Sequence, residues 1–155
     1  MSGAARRTHA IAGIVSTLCI ASFFCATLFT EALGSQAAVA RLKSLIVMPG
    51  LFILVPAIAI TGGSGFLLSR ARRGRLVDAK KKRMPFIAAN GLLVLVPCAI
   101  VLDRWATAGS LGTALYAIQA LELAAGATNL VLMGMNMRDR LRMSGWLRAA
   151  LPDKL

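Results

Sequence analysis

The sequence predicts an all-α integral membrane four-helix bundle, and three observations carry that expectation. Hydrophobic residues make up 57% of the 155 positions and charged residues only 15%, whereas a soluble domain is nearer half apolar and a quarter charged. The apolar residues come in four long blocks with no alternating polar face, so the blocks cannot form the core of a water-soluble globule. The charge gathers between the blocks: 18 Lys and Arg against 6 Asp and Glu give a net charge of +12. In a soluble protein that excess would suggest nucleic acid. At the ends of apolar blocks it is what membrane orientation produces, and no nucleic-acid partner is expected.

The first helix is expected over residues 10–30, after a short basic start that carries Arg6, Arg7 and the single histidine, His9. Basic residues ahead of an apolar run also begin signal peptides, and Ala38-Val39-Ala40 has the small-residue spacing of a cleavage site. The run is longer than the 7–15 residues of a signal core, so a retained helix is expected. Residues 31–43 read as a loop. The second helix, 44–68, contains Pro49, Pro56 and the run Thr61-Gly62-Gly63-Ser64-Gly65. Pro56 removes the donor for the Phe52 carbonyl, and membrane helices tolerate such breaks because neighbouring groups re-satisfy the backbone.

A basic central loop follows, with Arg70, Arg72, Arg73, Arg75, Lys80, Lys81, Lys82 and Arg83 facing one acid, Asp78. It is at once a topology signal and a candidate contact for anionic phospholipids, at about 1 kcal/mol per well-placed cation. The third helix is expected over 84–102, with Asn90 near its start and Pro97 in its second half; Pro56 and Pro97 are the two expected helix breaks. The short, nearly neutral link after it includes Trp105, a residue type that favours headgroup level. Residues 138–151 mix Leu141, Trp146, Leu147 and Leu151 with Arg138, Arg140, Arg142 and Arg148. That pattern fits a short amphipathic helix in the interface, stopped by Pro152.

The fourth helix, 111–136, holds the main candidate site. At helical spacing Gln119, Glu122, Gly126, Asn129, Met133 and Asn136 fall on one side, with apolar residues over much of the remainder. That side should face other helices, since polar groups in hydrocarbon need partners. Glu122 stands midway along the block, and no basic residue is expected at that depth to pair with it. As a neutral carboxyl it would donate to Gln119 or to carbonyls freed by Pro56 or Pro97. Asn90 and Asn129 lie at comparable depth and are placed to hydrogen-bond between helices, worth about 0.6–2 kcal/mol.

The basic segments are the N-terminus, the central loop and the tail. The excess of Lys and Arg therefore points to cytoplasmic termini and a cytoplasmic central loop, in a bacterial inner membrane. The segments Gly50-Leu51-Phe52-Ile53-Leu54-Val55-Pro56 and Gly91-Leu92-Leu93-Val94-Leu95-Val96-Pro97 share the pattern G-L-x-x-L-V-P, which reads as coincidence in low-complexity apolar sequence or as a shared packing need.

Function is constrained mostly by what is missing from the sequence. Cys19, Cys25 and Cys98 form no CxxC pair, and a single histidine cannot serve a Ser/His/Asp triad, an HExxH motif or a paired-histidine b-type haem. No enzyme activity, metal or cofactor is expected, haem b included. The expected role is a non-enzymatic accessory or assembly factor beside another membrane protein. A small proton-coupled transporter working through Glu122 is the alternative, and a haem- or quinone-binding redox subunit comes third.

Overall fold

The computed structural model describes residues 3–70, 75–110 and 112–143. Among these the chain is helical apart from short links, with helices α1 (Gly3–Leu33), α2 (Gln36–Leu45), α3 (Phe52–Arg70), α4 (Arg75–Asn90), α5 (Val96–Thr107) and α6 (Thr113–Met143). A wide π-type turn over Ile46–Leu51 joins α2 to α3, and a second over Gly91–Leu95 joins α4 to α5. Four helical runs are therefore long and apolar enough to cross a membrane: Arg6–Leu33, Gln36–Leu67, Lys81–Thr107 and Thr113–Leu141.

The runs extend beyond the expected boundaries. Residues 31–43 are mostly helix rather than loop: Ser35 caps α2 by accepting the Ala38 amide on its side chain, 3.3 Å, a preferred N-cap arrangement. Lys and Arg are good helix formers, so α4 begins at Arg75, well before the apolar block. The fourth helix does not stop near residue 136 either. Arg138 and Leu141 belong to the last turns of α6, while the remainder of the expected interfacial helix, from Ser144 onward, lies outside the described residues.

Two glycines serve specific turns. Gly109 closes α5 with φ +70, a left-handed conformation that costs glycine little. At Gly50 a Cβ would sit 2.7 Å from Phe23 Cζ and 3.0 Å from the Leu45 carbonyl, so the absence of a side chain lets α1 approach the first wide turn closely.

The pattern-sharing segments fall on these wide turns. Gly50 and Gly91 are both buried in them. Pro97 then sits in the first turn of α5, where a missing N–H does no harm. In the second run the helical path breaks earlier than expected, at Met48 (φ −133, ψ 111) before Pro49. The residue ahead of a proline is disfavoured from helical backbone. Pro56 lies within α3, which continues through it.

Neighbouring runs pack in sequence as an up-and-down bundle, with α1 against both α3 and α6, and α5 against α2 and α6. The central cluster joins Ile20, Ile46, Leu51, Leu54, Ile58 and Ala99. Only 22% to 33% of the residues in each run's most apolar stretch are buried, and many large apolar side chains are exposed. Phe29, Phe52 and Phe66 are 67%, 68% and 60% exposed. In water such a surface would be a large apolar patch; against lipid it meets a matching solvent.

Candidate functional site

The site is built where α2 and α6 cross the interior. Val39, Lys43, Ile46 and Gly50 recur at spacings of four, three and four, and all are buried. That repeat puts Lys43 on the inward face of its helix, with only 1% of its surface exposed. Its ammonium donates to Glu122 Oε2 at 3.0 Å. Gln119, one turn before Glu122 on the same face, donates its Nε2 to the same oxygen at 3.2 Å. Glu122 thus accepts two hydrogen bonds on Oε2, from Lys43 and Gln119.

Lys43 also corrects the expectation that no basic residue reaches this depth. Its place in a supposed loop hid it; the helical spacing from Val39 to Ile46 was the available signal. At 1.5 Å per residue Glu122 lies about 14 Å from the start of α6, nearer the middle of the 31-residue helix than that end.

Removing two ions from water costs several kcal/mol each, and the pair is tolerable only with close geometry and further hydrogen bonds. The 3.0 Å contact and Gln119 meet that requirement on one carboxylate oxygen. A cavity of about 40 Å³ adjoins Glu122, walled mainly by Phe23, Phe24, Leu54 and Ala99, with Thr27 as a polar neighbour. It has room for water, but it offers few groups to hold a chain of them. One acceptor of the cluster, Gln119 Oε1, is buried without a partner among the described residues.

A second polar layer lies nearer the end where α1 begins and α6 ends. Asn90 Nδ2 donates to Asn129 Oδ1 and to the Ala125 carbonyl, both at 2.9 Å, and Asn129 Nδ2 donates to the Ile87 carbonyl at 3.3 Å. Asn129 is wholly buried. The structure therefore brings Asn90 and Asn129 together, but places them apart from the Glu122 cluster: the four residues of the expected polar site form two layers.

Further cross-links surround these layers. Ser44 Oγ donates to Asp103 Oδ1 at 2.6 Å, tying α2 to α5. Arg83 Nη1 donates to Asp139 Oδ2 at 2.7 Å, tying α4 to α6. Arg83, one of the candidate contacts for anionic lipid, is engaged by an acid that the sequence did not single out. Lys81 and Lys82 are exposed. Arg70 lies at the end of α3, and Arg75 and Lys80 lie in α4, whereas Arg72 and Arg73 lie outside the described residues. His9 Nδ1 lies 3.0 Å from Ser64 Oγ, joining α1 to α3. Among the described residues no group of three His, Cys, Asp or Glu side chains could hold a metal ion.

Comparison with family models, curated proteins and solved structures returns no match.

The ion pair predicts a specific pattern of stability in mild detergent. Lys43→Met leaves a carboxylate without its cation and should cost about 3–5 kcal/mol of unfolding free energy. Lys43→Met combined with Glu122→Gln should recover most of that loss. Additive costs in the double variant would contradict a direct coupling.

Proposed function

We propose that this chain is a small polytopic protein of a bacterial inner membrane that acts as a non-enzymatic accessory or assembly factor for another membrane protein. The observation that carries this reading is the closed Lys43–Glu122 pair at 3.0 Å. A carrier working through Glu122 would have to part the two charges in each cycle, exposing each to a desolvation cost of several kcal/mol. Their pairing, and the Asn90–Asn129 layer, support a scaffold whose polar groups hold its helices in place.

The exterior supports the same reading. Exposed Leu18, Phe29, Met48, Phe52 and Phe66 on α1, α3 and the turn before α3 present a broad apolar surface to lipid or to transmembrane helices of a partner. The described links between membrane runs, 34–35 and 108–110, are too short to form a separate domain.

Orientation follows from charge. The start of α1 with Arg6 and Arg7, the end of α3 at Arg70, the start of α4 with Arg75, Lys80, Lys81, Lys82 and Arg83, and the end of α6 with Arg138 and Arg140 share one end of the bundle. The excess of Lys and Arg there supports a cytoplasmic placement, with Lys81 and Lys82 available to anionic phospholipid.

Two experiments test these assignments. With the native cysteines replaced, a cysteine at Gly109 should react with a membrane-impermeant maleimide in intact cells, and one at Lys81 only after lysis; the reverse pattern would invert the topology. Chemical cross-linking in native membranes, followed by mild extraction, should isolate the chain with one membrane protein in fixed stoichiometry. Loss of that protein's assembly on deletion of this chain is the expected phenotype. A chain that stays solitary across extraction conditions would overturn the accessory role.

A further inference from the structure

A second cavity, separate from Glu122, opens at the end of the bundle where α1 begins and α6 ends. Its volume is about 100 Å³, and His9, Met84, Met133 and Met137 line it from α1, α4 and α6. The chain has one histidine and seven methionines, so this hollow gathers the sole imidazole and three thioethers. Met133 and Met137 stand one turn apart on α6 and share a face. Met84 and His9 meet over Gly65: Met84 Sδ and His9 Cε1 each lie 3.0 Å from the point where a Gly65 Cβ would sit. The missing side chain makes the thioether and the ring neighbours. The ring is also oriented. Ser64 Oγ donates to the Ile60 carbonyl, which commits its only hydrogen. The 3.0 Å contact between His9 Nδ1 and Ser64 Oγ is therefore donated by the ring, and the lone pair of the neutral imidazole lies at Nε2. Proteins hold metal-binding histidines in this way, with one nitrogen hydrogen-bonded and the other ligating.

We propose that this cavity binds one soft univalent cation, Cu(I) or Ag(I), through the Met84, Met133 and Met137 thioethers and His9 Nε2. Methionines alone would read as flexible apolar filling. The imidazole beside Met84 sets this hollow apart, because filling it requires no oriented polar ring. The donor set then chooses the ion. Ca²⁺ and Mg²⁺ rely on carboxylates, and the lining carries none; thioethers select soft ions such as Cu(I). Four neutral ligands leave the ion's own charge uncompensated. The cost of holding charge in apolar surroundings rises with its square, and Arg140, exposed at the same cavity, adds repulsion. One positive charge is therefore tolerated where two are not. The site rests on neither the Lys43–Glu122 pair nor the accessory role.

Methionine-methyl NMR of the full chain in detergent, with Ag(I) added as nitrate to chloride-free buffer, tests this. Cys19, Cys25 and Cys98 are first replaced by alanine, because thiols take the same ion. One equivalent should shift the Met84, Met133 and Met137 methyls and the His9 ring signals together. Met48, in the turn before α3, should stay unmoved, and one equivalent of Zn(II) should leave all three methyls in place. Leucine is close to methionine in volume, so Met84→Leu and Met137→Leu should each keep the fold. Each should weaken Ag(I) binding by about tenfold or more, at least the loss that an outer-shell partner causes, while Met48→Leu leaves it unchanged. Met137 is 43% exposed, so its variant remains informative if Met84→Leu fails to fold. Unmoved methyls at one equivalent, an equal shift at Met48, the same response to Zn(II), or binding that is insensitive to Met137→Leu would overturn the proposal and leave the methionines as apolar filling.

Discussion

A lysine and a glutamate, 3.0 Å apart among apolar helices, set the terms for the rest of this bundle. Neither charge could remain there alone. Their pairing requires α2 to enter the interior as a helix, with Lys43 on its inward face, and requires α6 to present Glu122 and Gln119 across from it. The packing of α1 and α5 on either side then closes the space around the pair. The interaction has little claim to net stability, because desolvation consumes much of what the attraction returns. Its physical role is to penalise other arrangements: any shift that separates α2 from α6 strands two ions.

The remaining polar contacts follow the same rule at other levels. Asn90 with Asn129, Ser44 with Asp103 and Arg83 with Asp139 each join two different runs, so hydrogen bonds locate helices that lipid gives no hydrophobic reason to associate. Large aliphatic residues form the central cluster, but large apolar residues also cover much of the exterior. Several of the buried positions are alanine, serine, threonine or asparagine, while many phenylalanines and leucines face outward. Close approach of backbones, as at Gly50 against Phe23, is what small interior residues permit.

The four runs were legible in the sequence because a bilayer demands long apolar blocks, and the pairing of Asn90 with Asn129 was legible because equal depth on neighbouring helices can be counted along the chain. The helix ends were not. Charge reads as loop, yet Lys and Arg extend helices readily once beyond hydrocarbon, as α4 does from Arg75. Lys43 was missed for the same reason. A lysine seven residues into a helix looks like a flank until the buried spacing of Val39, Ile46 and Gly50 is used to place it. Asp139 was hidden similarly, between Arg138 and Arg140 in a stretch read as interfacial. Pairings between distant segments leave no local period to read, and the Lys43–Glu122 and Arg83–Asp139 pairs are of that kind.

The central claim is that Lys43 and Glu122 contact each other directly inside the membrane. Magic-angle-spinning NMR of the protein in lipid bilayers, with ¹⁵N at Lys43 Nζ and ¹³C at the Glu122 carboxyl, measures that contact through their dipolar coupling. The structure predicts a strong one-to-one coupling between those two atoms and slow exchange of the Nζ protons with water. No detectable coupling, with an Nζ group that exchanges freely, would contradict the account.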